Sequence, residues 1–149
     1  MKIINKKFNR QYSLVEKYEA GIALTGAEVK SIRTGRLRLE EAFVKIMASG
    51  AYLLNAEIPI YQYARPQGYD SRRSRKLLLH KKELIRLKTK INSGRGLTIV
   101  PVSCYNKGHL IKLEIALVKG RGEIERKKIE KKRDIKREEE REMKEYVKG

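Results

Sequence analysis

Between Leu110 and Val118, the apolar residues Ile111, Leu113, Ile115 and Leu117 alternate with Lys112, Glu114 and Ala116. A period of two is the mark of a strand with one face in a core. Upstream, the run Gly96 to Tyr105 is joined to it by Asn106-Lys107-Gly108, a hairpin connection. A second hairpin is predicted where Ala42–Met47 and Tyr52–Ala56 flank Ser49-Gly50. Tyr12 to Leu24 reads as one long strand in which Gly21 permits a bulge or bend, and Lys76–Leu79 as a short buried segment.

The pattern changes to a helical one twice. Thr25 followed by Glu28 is a capping box, in which each side chain satisfies a free backbone donor at the helix start. Leu24 and Val29 stand where a hydrophobic staple forms, and Thr34-Gly35 supplies the stop. The second helix runs from His80 to Ile91, with Leu84, Leu87 and Ile91 on one side and Asn92-Ser93-Gly94 at its end. His80 occupies the N-cap position, a polar helix-start role.

These elements predict a mainly β protein with α: a six-stranded OB-like antiparallel barrel with two or three peripheral helices and a basic C-terminal tail. Barrel closure removes exposed strand edges. A ferredoxin-like sheet is the alternative, disfavoured because the helices do not alternate regularly with the strands. Asn5 to Arg10 is expected to be an extended polar arm. The break in periodicity from Pro59 to Arg75 is the longest loop, carrying Tyr61, Tyr63 and Tyr69 among Arg65, Arg72, Arg73 and Arg75. Two readings of it stand: aromatics and arginines presented to bases and phosphates, or tyrosines anchoring the loop with solvated arginines.

Charge adds a partner to this picture. The 149 residues include 36 Lys and Arg against 18 Asp and Glu, a net charge of +18 that suits a polyanion, nucleic acid before membrane. Residues 1–118 hold 23 basic and 9 acidic side chains, and residues 119–149 hold 13 and 9. The chain is therefore divided into a barrel domain, 1–118, and a charged tail, 119–149. Apolar positions in the tail are too sparse to drive ordering, so it is expected to be disordered when free. Oppositely charged residues recur three apart, as in Glu130 with Arg133 and Asp134 with Arg137, which describes a latent helix. As a helix, 121–148 would reach about 42 Å. No run is long and apolar enough for a membrane span or a leader's apolar core, so a cytoplasmic location is expected. Cys104, His80 and His109 have no spacing suited to a metal or a catalytic set, which points away from an enzyme and away from cofactors.

Several separated motifs together resemble the SmpB (SsrA-binding protein) family of bacterial trans-translation. They are Asn5-Lys6-Lys7, Tyr18-Glu19-Ala20-Gly21-Ile22, Leu24-Thr25-Gly26-Ala27-Glu28-Val29-Lys30-Ser31, Arg75-Lys76-Leu77-Leu78-Leu79-His80-Lys81, Leu97-Thr98-Ile99-Val100-Pro101 and the basic tail. The resemblance implies an OB-like barrel and an adaptor that binds the tRNA-like domain of transfer-messenger RNA and accompanies it to stalled ribosomes. It further implies a tail that engages the small-subunit decoding centre and mRNA channel and becomes helical there. Alanyl-tRNA synthetase and elongation factor Tu become indirect partners; no DNA or membrane partner is implied, and a monomer is expected. The RNA-binding residues the resemblance implies are Asn5, Lys7, Glu28, Lys30 and Lys119; Arg33, one turn from Lys30 on the first helix, and Arg75 and Lys76 join them as candidate RNA-binding residues. Those implied for the ribosome-binding tail are Arg121, Glu125, Arg126, Lys127, Lys131, Arg133, Lys136 and Arg137. Where the family places an aromatic or imidazole ring in the tail this chain has Ile124, and Gly122 replaces a lysine.

Overall fold

The computed structural model describes residues 1–63, 67–93, 96–121 and 123–148, with side chains for all of these except 123–127 and 144–148. In chain order the elements are β1 (Lys2–Ile4), α1 (Phe8–Gln11), β2 (Tyr12–Ile22), α2 (Gly26–Arg33), β3 (Phe43–Met47), β4 (Gly50–Leu54), β5 (Arg75–Leu78), α3 (Lys81–Ile91), β6 (Leu97–Lys107), β7 (Leu110–Gly120) and α4 (Glu123–Lys148). The fold is mainly β, one seven-stranded antiparallel sheet with helices around it.

The strand order is β1-β6-β3-β4-β5-β2-β7, and β7 also pairs with β6, so the pairings from β6 through β3, β4, β5, β2 and β7 return to β6. Strand β6 is long enough to allow this. β7 runs beside it from Leu97↔Lys119 to Lys107↔Leu110, while its other edge takes β3 at Ile99 and β1 at Ser103 to Tyr105. β2 likewise pairs with β7 along most of its length and turns to β5 at Gly21 and Ile22. Its bulge falls between Leu14 and Glu16 rather than at Gly21. Gly21 serves the close approach of β5: a Cβ there would lie 3.2 Å from the Cβ of Leu78.

Seven strands replace the expected six because the arm is not an extended polar segment. Lys2–Ile4 pairs with β6, and Phe8 starts a short helix. The cause is burial. Phe8 packs with Val100, Ala116 and Val118 in a small second core, against the face of β7 opposite the main one. Asn5 fixes the arm by donating its side-chain amide to the Pro101 carbonyl at 2.9 Å and its backbone N–H to Val102 at 2.8 Å. Proline has no N–H for the ladder, and the β6–β7 register shifts between Pro101 and Ser103, so the arm docks at an irregularity of β6. The main core gathers Ala20, Ile32, Leu39, Leu53, Ile58, Leu77, Leu87, Ile99, Leu113, Ile115 and Leu117. Apolar burial on this scale, at about 25 cal/mol per Å2, is what holds the strands around α2's inner face.

Candidate nucleic-acid interface

Helix α2 is set by three devices. At its start, the Thr25 hydroxyl accepts the Glu28 N–H at 3.3 Å and the Glu28 carboxylate accepts the Thr25 N–H at 2.9 Å. At its end, Gly35 takes φ +82° while its N–H reaches the Ile32 carbonyl and the Arg36 N–H reaches that of Ser31, which satisfies carbonyls the helix leaves free. Between them, Glu28, Ser31 and Ile32 are buried.

Glu28 is the centre of a buried ion cluster. Its carboxylate accepts from Arg75 Nε and from Arg73 Nη2, each at 2.5 Å. Arg75 has no solvent exposure, and its remaining nitrogens donate to the Ala56 and Ser71 carbonyls at 2.9 and 3.0 Å. Burial pushes the Glu28 carboxyl up, but the Thr25 amide and the two guanidiniums outweigh this and hold it below the usual carboxylate range. The cluster ties α2 to β5 and to both ends of the long loop.

The same loop is pinned along α2. The Ser31 hydroxyl donates to Pro59 at 2.6 Å, Arg36 to Ile60 at 3.2 Å, and the Tyr69 hydroxyl to Ile58 at 2.6 Å. Tyr69 thus anchors the loop, Arg72 bonds Asn55, and Arg73 is bound to Glu28. Tyr63 is the contrast, at 75% exposure. Arg65 lies outside the described residues.

On this frame Lys30 and Arg33 point outward. Lys30 Nζ stands 5.8 Å from the centre of the Tyr61 ring, and Arg33 makes one long contact, 3.4 Å, to the His109 carbonyl. Lys7, Lys76 and Lys119 are exposed as well, whereas Asn5, Glu28 and Arg75 are buried. The structure therefore separates the expected RNA-binding residues into a set that holds the frame and a set that presents charge. The partnership of Glu28 with Arg75, 47 residues away, left no local trace in the sequence; the exposed cations Lys2, Lys6 and Arg36 were also missed.

At the tail, Arg121 is engaged. Its backbone N–H donates to Gln11 at 2.8 Å, and Nε reaches the carbonyls of Asn9 and Tyr12 at 2.9 and 3.0 Å, at the end of α1. About two turns into α4, Glu130 pairs with Arg10 at 2.6 Å, so this carboxylate serves α1 rather than Arg133. Lys131, Arg133, Lys136 and Arg137 are exposed. The side chains of Ile124, Glu125, Arg126 and Lys127 are outside those described.

Other polar clusters brace the sheet. Glu16 binds Arg86 at 2.7 Å, Lys90 and Tyr18, which joins β2 to α3; these hydrogen bonds, Arg86 first, lower its carboxyl to about 2. Glu19 joins β2 to β6 through Tyr105 and Lys107. The Glu83 carboxylate accepts the His80 N–H at 3.1 Å, a helix-start contact. Cys104 is buried, and that burial drives its thiol up to about 12, in favour of the neutral form. Among the described residues no three His, Cys, Asp or Glu side chains are grouped to hold a metal, and no helix is long and apolar enough to cross a membrane.

Fold and surface define a small basic β-protein that offers exposed cations on a rigid frame and extends a charged helix from one end, the design of a polyanion-binding module. Comparison with known proteins narrows this. The model of the family described as SmpB protein matches residues 2–145. An SsrA-binding protein of Sulfurihydrogenibium sp. (strain YO3AOP1) is 47% identical over 144 residues, covering 97% of this chain and 94% of that one. One from Thermosipho melanesiensis is 44% identical with both chains fully covered. A solved structure reported as "tmRNA-SmpB: a journey to the center of the bacterial ribosome" is similar with a TM-score of 0.68 and 39% identity, over 82% of this chain and 85% of that one. The chain belongs to the SmpB family.

Proposed function

We propose that this protein is an RNA-binding adaptor of trans-translation: it binds the tRNA-like domain of transfer-messenger RNA and delivers it to stalled ribosomes. The observation that carries the reading is the full-length match to SsrA-binding proteins. The exposed Lys30, Arg33, Lys7, Lys76 and Lys119 supply the phosphate contacts such a task needs. Asn5, Glu28 and Arg75 act from beneath, orienting the arm and α2. The returning circuit of strand pairings supports an OB-like barrel for the body. The tail, 119–149, engages the decoding centre and mRNA channel through Lys131, Arg133, Lys136, Arg137 and the Arg121 to Lys127 segment. Free of RNA it melts beyond its α1 anchor, because the exposed faces of α4 bury little apolar surface. Alanyl-tRNA synthetase and elongation factor Tu meet the same RNA, the protein acts as a cytoplasmic monomer, and no catalysis is assigned to it.

The test is electrostatic. Reversing Lys30 and Arg33 to Glu should weaken binding to a transcript of the tRNA-like domain and flatten the dependence of log K on log salt by roughly one unit per lost phosphate contact, with thermal unfolding unchanged. An unaltered slope removes α2 from the binding face.

A further inference from the structure

A groove of about 830 Å3 lies between the β1 arm and the turn that follows α2. Its lining includes Lys2, Lys6, Arg36 and Arg38, with one carboxylate, Glu40, and Pro59 in the wall. Lys2, Lys6 and Arg36 are exposed and form no ion pair among the described residues, while Arg38 stands 3.8 Å from Glu57. The volume suits a nucleotide better than a free phosphate ion, and the net charge suits its backbone. Past Pro59 in the groove wall, the chain carries an aromatic pair. Arg36 donates to the Ile60 carbonyl, and the next residue, Tyr61, meets Tyr63 edge to face with ring centres 5.4 Å apart. Lys30 backs Tyr61, and Tyr63, at 75%, is the most exposed large hydrophobic side chain among the described residues.

An aromatic ring left this open costs solubility and contributes nothing to the core. Tyr61 and Tyr63 meet with ring planes 69° apart, and Tyr63 keeps 75% of its surface open to a stacking partner. Bases stack on such faces irrespective of sequence, and neighbouring Lys and Arg take the flanking phosphates. Duplex RNA has no free base face to offer, so the pair selects an unpaired nucleotide.

We propose that Tyr63, braced by Tyr61, stacks on an unpaired nucleobase of the bound RNA, whose adjoining phosphates lie in the groove against Lys2, Lys6 and Arg36. The inference rests on the adaptor reading for the identity of the RNA and adds the kind of nucleotide recognised. Tyr63→Phe keeps a ring face and Tyr63→Ala removes it, and neither touches the core.

The experiment measures both variants and the double variant Lys2→Gln/Lys6→Gln. The probes are a transcript of the tRNA-like domain, a short single-stranded oligoribonucleotide and a fully paired RNA duplex of equal charge. Tyr63→Ala is expected to lose roughly tenfold in affinity for the transcript and the single strand at an unchanged salt slope, Tyr63→Phe to stay within about twofold, and duplex binding to be unaffected. The lysine variant is expected to flatten the single-strand slope by about 0.7 per lost contact. Equal affinities of Tyr63→Ala and the unaltered protein for the single strand overturn the stacking site, as does an equal loss on the duplex. If the unaltered protein fails to bind the transcript, the adaptor reading falls, and the single-strand measurements still decide the stacking site.

Discussion

Glu28 and Arg75 show how little a residue's type says about its task. Both are charged residues in a protein rich in exposed charge, and both are buried. Each is fully supplied with partners, since Glu28 takes Thr25, Arg73 and Arg75, and Arg75 takes Glu28, Ala56 and Ser71. Removing one side of such a cluster strands the other without water. Glu28→Gln is therefore expected to lower unfolding free energy by about 3–5 kcal/mol, measured by urea titration. Loss of under about 1 kcal/mol would mean that the cluster contributes little net stability. Glu16 gives the pH dependence. Its folded carboxyl is lowered from 4.5 to about 2, so its contribution is present above the unfolded value and disappears as pH falls through the folded one. The stability difference between the unaltered protein and Glu16→Gln should shrink steadily from pH 4.5 to pH 2. A difference that stays constant over this window would show that the Arg86 and Lys90 contacts do not hold the proton off.

At the scale of elements, what was legible in the sequence was local. The α2 cap depends on Thr25 and Glu28, three apart, and its stop on Gly35, so helix and bounds follow from the residues alone. The two hairpins and the β7 alternation are local in the same sense. The arm was not legible, because its order comes from Phe8 and Asn5 meeting β6 and β7 about a hundred residues later. The long loop was half legible: its tyrosines and arginines signalled a special role, but only the fold shows Tyr69 anchoring, Arg73 and Arg75 serving Glu28, and Tyr63 left open. Arg121, just before α4, and Glu130 within it tie the tail to α1, outside the main core. Ending the chain after Lys119 should thus leave the sheet folded and binding to the tRNA-like domain within a few-fold, while activity on stalled ribosomes is lost. Collapse of RNA affinity in the shortened protein would contradict this division of labour.

For the molecule as a whole, the excess of positive charge and the rigid sheet answer different needs. Charge draws the protein to any RNA and is screened by salt, so it cannot by itself select one. Selection requires cations held at fixed separations, which is what the Glu28 cluster, the Schellman-type stop and the pinned loop provide around Lys30 and Arg33. The frame and the partner are thus one claim. It is tested most directly by purifying the full chain from bacterial cells at moderate salt and sequencing the RNA that remains bound. Transfer-messenger RNA enriched far above its share of total RNA is the predicted result, reduced when Lys30 and Arg33 are reversed to Glu. Recovery of RNA in proportion to its cellular abundance would contradict the account.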